Sequence, residues 1–262
     1  MTHATWHQAG WRGWIDPGAA VDPLACLAAT DTTVRTSRHA RTVRLVSTGD
    51  TLFVKRYAAP GGWRAVRAFR MGEALRTVGF GAPEAVLVGR RGGEGLLVTR
   101  DGGGEELIAA VAGARRAAKR ALLRALGAEV GRLHEAGFVH GDLVPPNLRL
   151  VDGRFLFLDN DRTRRSAALV YLAGRRNLVQ LGRFVVPGVT ATDRARVLAG
   201  YAAARGLSRA ARRRLARWVV AKTIARRCAI DRIPSTIAAR AGYRELMRSG
   251  GRFDPGAGRE AE

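Results

Sequence analysis

From Thr42 the chain alternates, with Val43 and Leu45 set against Arg44 and Val46, then a Gly49-Asp50 turn, then Leu52 and Val54 set against Phe53 and Lys55. Period-two alternation around a Gly-Asp pair predicts a β-hairpin whose second strand carries Lys55. After the Pro60-Gly61-Gly62 break, Val66, Phe69 and Leu75 fall on one face of a helix predicted from Arg64 to Val78, which carries Glu73 and stops at Gly79. A second strand pair follows, Ala85 to Val88 and Leu96 to Thr99, joined by an Arg90 to Gly95 turn, and Asp101-Gly102-Gly103-Gly104 reads as a hinge. Beyond it Leu122, Leu126, Val130 and Leu133 make the apolar stripe of a long helix that ends at Gly137. A hairpin comes next, Asn147 to Val151 and Phe155 to Leu158 around Asp152-Gly153. Helices are then predicted at about Tyr171 to Val186, Thr192 to Arg205 and Ser208 to Arg232, with Ser208 as N-cap.

This pattern predicts an α+β chain in which one domain, residues 35–250, is divided into a small β-rich lobe at 35–100 and an α-rich lobe at 101–250. Residues 1–34, where Trp6, Trp11 and Trp14 lie among Gly and Pro and an Ala-rich run extends from Leu24 to Ala29, read as an N-terminal cover segment. The Gly-rich, charged residues 251–262 read as a tail, and no internal repeat is evident.

Composition adds charge to this outline. The 262 residues are 47% apolar, which excludes wholesale disorder, and carry a formal net charge of +23. That excess points to an anionic partner: nucleic acid, an acidic membrane surface or a phosphorylated substrate. Lys55, Lys119 and Lys222 are the only lysines among 45 basic residues, so part of the excess reads as the arginine bias of a GC-rich coding sequence. In such a background a lysine kept on a strand suggests work that a planar guanidinium does not do. Residues 190–250 hold fourteen arginines and Lys222 against Asp193, Asp231 and Glu245, a net +12 that reads as a surface facing anionic lipid headgroups or an anionic substrate. No nucleic-acid reader motif accompanies it. Cys26 and Cys228 fit neither a disulfide framework nor a metal cluster, and no secretory or membrane-spanning segment is read, so the expected location is cytoplasmic.

The candidate chemistry lies in His140-Gly141-Asp142 with Asn147, followed by Asp159-Asn160-Asp161-Arg162 just past the second hairpin. Phosphoryl transfer requires positioning and charge neutralisation, and four parts supply them. Lys55 is placed to touch phosphates and Glu73 to hold that lysine. Asp142, in a loop after a long helix, is placed as the base, and Asn147 and Asp159 offer hard oxygen ligands for a metal. The order and spacing resemble the protein-kinase-like superfamily in the His-Gly-Asp form of small-molecule kinases. With Val54-Lys55-Arg56-Tyr57 and Arg176-Asn177-Leu178, residues 40 to 185 look most like the bacterial lipopolysaccharide kinases, which phosphorylate Kdo or heptose of the inner core.

The resemblance implies a two-lobed kinase-like fold, ATP and Mg2+ as cofactors, an alcohol-group phosphotransferase activity, a lipopolysaccharide core sugar as acceptor, and a peripheral place on the cytoplasmic face of the inner membrane. No protein partner is inferred. Two departures accompany it. The phosphate-covering stretch Thr36 to Arg41 has no glycine, leaving Arg38 or Arg41 to substitute by charge, and Val144-Pro145-Pro146 stands where protein kinases often carry a lysine. Alternatives are an aminoglycoside- or choline-kinase-like enzyme, whose acceptor pocket would be acidic, and a catalytically silent membrane scaffold. His140 is read as a brace for its loop and His134 as core packing. Asp161 is either a second metal-side ligand or a turn cap paired with Arg162.

Overall fold

A computed structural model describes residues 3–30, 32–37, 39–47, 50–184 and 186–250. The chain divides into two compact units, Met1–Gly104 with Val151–Arg164, and Glu105–Leu150 with Arg165–Glu262. The first unit closes its main segment at the predicted hinge and takes a second piece of chain, which the sequence pattern had assigned to the other lobe. Arg38, Gly49 and the predicted tail lie outside the described residues.

The first unit is built on seven strands, β1 (Ala4–Gln8), β2 (Trp11–Ile15), β3 (Thr32–Thr36), β4 (Ala40–Ser47), β5 (Asp50–Tyr57), β6 (Ala85–Arg91) and β7 (Glu94–Arg100). They form one antiparallel sheet in the order β1-β2-β6-β7-β5-β4-β3. The sequence pattern set residues 1–34 apart as a cover, but β1 and β2 extend the sheet beyond β6. Gly13 permits this, because a Cβ there would lie 1.9 Å from the Val88 carbonyl oxygen. Trp6 is buried with its indole nitrogen donating to the Val88 carbonyl at 3.0 Å. These tryptophans thus anchor the edge of a sheet, a role their Gly-rich surroundings obscured.

Alternation along β5 sorts its side chains to two faces. Leu52 and Val54 enter a core with Val43, Val86, Leu96, Val98, Trp11 and Cys26, the last from helix α1 (Pro23–Ala28). Burial, with Asp22 adding, pushes the Cys26 thiol up to about 11, which leaves it inert. Tyr57 enters the opposite core with Ala65, Ala68 and Phe69 of helix α2 (Gly62–Thr77). Lys55, two residues before Tyr57, therefore points to the α2 face. The predicted helix from Arg64 is present and begins two residues earlier.

The second unit is helical: α3 (Leu107–Gly113), α4 (Arg116–Glu135), α5 (Ala167–Gly182), α6 (Ala191–Ala204), α7 (Arg209–Asp231) and α8 (Ile237–Ser249). The predicted stripe of α4 is buried at Leu126, Val130 and Leu133, with Leu123 in place of Leu122. α4 and α6 meet through glycines: a Cβ on Gly127 would lie 1.9 Å from the Val197 carbonyl oxygen, and one on Gly200 would lie 2.0 Å from that of Arg124. Thr190 and Asp193 cap α6 reciprocally, and Lys119 reaches Asp193 at 3.0 Å. Ser208 caps α7 as predicted, its hydroxyl accepting from the Ala211 amide. The pattern singled out no helix at α8.

Candidate active site

In the second unit, α4 ends at Glu135 and the chain passes through Phe138-Val139 into the loop that carries His140, Gly141 and Asp142. This loop is fastened from below by α5. Asn177, 1% exposed, accepts from the His140 amide at 3.1 Å and donates to the His140 carbonyl at 2.5 Å. Its amide also donates to Gln180 at 2.8 Å. Gln180 in turn accepts from the Leu143 amide at 3.2 Å and donates to the Gly141 carbonyl at 2.9 Å. Two α5 side chains one turn apart therefore hold the peptide groups on both sides of Asp142.

Asp142 itself is tied on three sides. Its amide donates to His140 Nδ1 at 3.2 Å, its carbonyl accepts from Asn147 Nδ2 at 2.9 Å, and Arg183 Nη2 stands 3.5 Å from its Oδ1. Asn147 is buried in the 3-10 turn Pro145–Asn147, and since its Nδ2 serves the loop, its Oδ1 is left as an acceptor. Val144 and Pro145 are buried, so the middle of the loop packs rather than offering a cation. The expectation that His140 braces the loop agrees with its acceptor role here.

His134 does more than pack. Its ring spans Tyr201 Oη at 3.0 Å and Asn177 Oδ1 at 3.1 Å. Since Asn177 Oδ1 can only accept, Nε2 carries the proton and Nδ1 accepts from the tyrosine. Burial pushes the His134 pKa down to about 4, so the ring is neutral at pH 7. The series Tyr201, His134, Asn177, His140 thus carries the α6–α4–α5 packing to the residue two before Asp142.

In the first unit, Lys55 lies on a strand paired on both sides, opposite Thr42 of β4 and Leu97 of β7. Its Nζ is 2.5 Å from Asp159 Oδ1, 3.8 Å from Asp161 Oδ2 and 5.0 Å from the centre of the Tyr57 ring. Asp159 adopts left-handed backbone angles, φ 59° and ψ 57°, and leads into the turn Asn160–Arg162, against which α2 packs. The turn is held by Asn160, whose amide donates to the Phe157 carbonyl at 2.9 Å and whose oxygen accepts from Thr163 at 3.1 Å. Phe157 in turn donates its amide to the Gly81 carbonyl. Burial and the neighbouring Asp159 raise the Asp161 pKa while Lys55 opposes them. Tyr57 is raised by the same burial and by both carboxylates.

The structure therefore brings together Lys55 with Asp159 and Asp161, and Asp142 with Asn147. It does not bring Glu73 to Lys55. Glu73 pairs one turn along its own helix with Arg76 at 3.2 Å, and Arg76 also reaches Glu84 at 3.9 Å. Arg41 is held along the β3–β4 hairpin by Thr33 Oγ1 and the Thr30 carbonyl. Sequence reasoning missed Arg183, Gln180 and Tyr201. A cation or amide on a distant helix carries no local signal, although Asn177 lay within the quoted Arg176-Asn177-Leu178.

Asp159 and Asp161 on one lysine form a compact anionic pair, and carboxylate oxygens are the hard donors that Mg2+ takes alongside phosphate oxygens. The residues present fit such an ion. The second unit also holds a partly open apolar pocket of about 120 Å3, lined by residues including Leu126, Leu178, Val197, Val219 and Met247, with Thr223 Oγ1 and Arg194 Nε lacking hydrogen-bond partners among the described residues.

A family model described as "Lipopolysaccharide kinase (Kdo/WaaP) family" matches residues 37–201. The solved structure of WaaP in complex with acyl carrier protein matches with a TM-score of 0.59 and 25% identity, covering 77% of this chain and 91% of that one. An aminoglycoside-3'-phosphotransferase of type VIII matches with a TM-score of 0.53 and 16% identity, over 73% of this chain and 91% of that one, which shows the fold alone. A 36-residue stretch is 50% identical to KEOPS complex subunit Bud32 from Pyrococcus abyssi, spanning 14% of this chain and only 16% of that relative.

Proposed function

The chain belongs to the lipopolysaccharide kinase (Kdo/WaaP) family and is a phosphotransferase of kinase-like fold, and from that premise we propose that it transfers the γ-phosphoryl of ATP to a hydroxyl of an inner-core sugar, Kdo or heptose, at the cytoplasmic face of the inner membrane. The observation that carries this reading is the seat of Asp142. Its backbone is fixed by His140, Asn147 and Gln180, and its carboxylate faces Arg183.

In this reading Asp142 accepts the proton of the sugar hydroxyl as the oxygen attacks phosphorus. Arg183 favours the ionised carboxylate and fixes the rotamer. Lys55 would meet the phosphates, Asp159 and Asp161 would hold a divalent cation, and Asn147 would offer its amide oxygen as the family resemblance implies. When bound, Mg2+ neutralises charge on the transferring phosphoryl group. Asp161 then acts as a metal-side carboxylate rather than a partner of Arg162, since its ion pair runs to Lys55. Glu73 serves the flank of α2 through Arg76. The basic helical unit suits an anionic acceptor and disfavours a cationic aminoglycoside.

We extend acyl carrier protein, the partner in the WaaP structure, to this chain as well. The apolar pocket of the helical unit gives the end of an acyl group an apolar lining.

The test is Asp142→Asn. Mg-ATP should still raise the melting temperature through its affinity for the folded state, while turnover on lipid A-core falls by about two to four orders of magnitude. Equal turnover removes Asp142 as the base.

A further inference from the structure

Helix α5 does two jobs at two ends. Asn177 and Gln180 in its later turns fasten the loop of Asp142, while its second turn presents Tyr171 and Leu172 to solvent at 88% and 65% exposure. Of the other large apolar residues of the helix, Val170, Leu178 and Val179 are buried and Leu169 and Leu181 half-buried. Two adjacent, fully presented apolar side chains are out of character for a solvated helix face.

Their surroundings are cationic. Arg175 and Arg176 stand one turn along from Tyr171 and Leu172, both exposed. α7 packs against α5, and Arg175 lies over the Trp218 ring at 4.2 Å, so α7 joins this face. Arg214 and Lys222 flank Trp218 by one turn on either side, and both are exposed. No Asp or Glu occurs between Asp161 and Asp193, or between Asp193 and Asp231. Among the described residues, the ion pairs use none of Arg175, Arg176, Arg214 or Lys222.

We propose that the face formed by Tyr171, Leu172 and Trp218 with Arg175, Arg176, Arg214 and Lys222 docks on an anionic phospholipid bilayer. An exposed tyrosine and leucine suit the boundary between headgroups and acyl chains, and unpaired cations beside them attract anionic headgroups. A bilayer matches this face better than nucleic acid, because leucine has no role in reading a base or a phosphate. The commitment rests on the glycolipid-kinase reading and adds a geometry to it. From Tyr171 to Gln180 is nine residues, about 14 Å along the helix axis at ~1.5 Å per residue. That interval separates the docking end of α5 from the end that braces Asp142, a span suited to a sugar held a short way out from its lipid anchor.

The experiment is co-sedimentation of the full chain with phosphatidylcholine vesicles, with and without phosphatidylglycerol, at low and high salt. The expected result is binding that requires phosphatidylglycerol, weakens with salt, and falls at least tenfold in both the Tyr171→Ser/Leu172→Ser and the Arg175→Gln/Arg176→Gln variants, with their melting temperatures and Mg-ATP shifts unchanged. Binding that ignores phosphatidylglycerol, or that both variants retain, overturns the proposal. So does loss of binding to purified acyl carrier protein in these variants with vesicle binding intact, which assigns the face to that protein. Turnover on soluble, deacylated core sugar separates the two levels. If it persists without vesicle binding, only the docking face is wrong; if vesicle binding stands and no core sugar is phosphorylated, only the acceptor reading is wrong.

Discussion

Replacing Asn177 by Ala removes the side chain on which the catalytic loop rests. The substitution removes the hydrogen bonds that Asn177 makes to the amide and carbonyl of His140, a residue only 1% exposed. Gln180 retains the Leu143 amide, whereas His134 keeps Tyr201 at Nδ1 while its Nε2–H also loses its acceptor. Removing the partner of a buried polar group costs about 1–3 kcal/mol, so losing the two bonds to the His140 backbone costs up to about 2–6 kcal/mol. Water entering the vacated volume pulls the value toward the lower end. Because the chain has two units, the local quantity is the informative one, and hydrogen exchange at the His140 and Asp142 amides reads it. At 2 kcal/mol the loop opens about thirtyfold more often, and turnover should fall with it while Mg-ATP still binds. Exchange that accelerates less than about fivefold, with turnover unchanged, refutes the claim that Asn177 seats the loop.

The neutral, buried His134 sets a pH dependence. Its folded pKa is depressed to about 4 against 6.5 for the free ring, so between these values the unfolded chain binds a proton that the folded site refuses. Stability should therefore drop as pH falls from about 6.5 to about 4, by up to roughly 3 kcal/mol from this one group. His134→Gln should flatten that slope in urea titrations, and an unchanged slope contradicts the assignment. Gly127→Ala should wedge α4 from α6, because its Cβ would meet the Val197 carbonyl oxygen at 1.9 Å. Overpacking of about 1–3 kcal/mol lowers the melting temperature by roughly 2–12 °C in calorimetry, and a rise would show that the helices separate without cost.

Much of this was legible in the sequence because it was local. Lys55 sits in a period-two strand, Asp142 and Asn147 in a loop after a 3.6-period stripe, and Asp159 after a Gly-turned hairpin, each marked within about ten residues. The contacts that place those groups were not local. His134 meets Tyr201 across 67 residues, and the His140 amide meets Asn177 across 37, so no window of sequence shows them. Glu73 misled for the converse reason. Its position on the helix suited a brace for Lys55, but Arg76, one turn away, pairs with it and Asp159 takes the lysine. The first strands were hidden because Gly10 and Gly13, which permit the tight turn and the close approach to Val88, read as loop residues.

The central claim is phosphorylation of a lipopolysaccharide core sugar through Asp142. Mass spectrometry of lipid A-core from cells with the gene, without it, and complemented with Asp142→Asn tests it most directly. The account predicts one phosphate fewer per molecule without the gene, restored by the wild-type gene and not by Asp142→Asn. An identical phosphate content in all of them contradicts it.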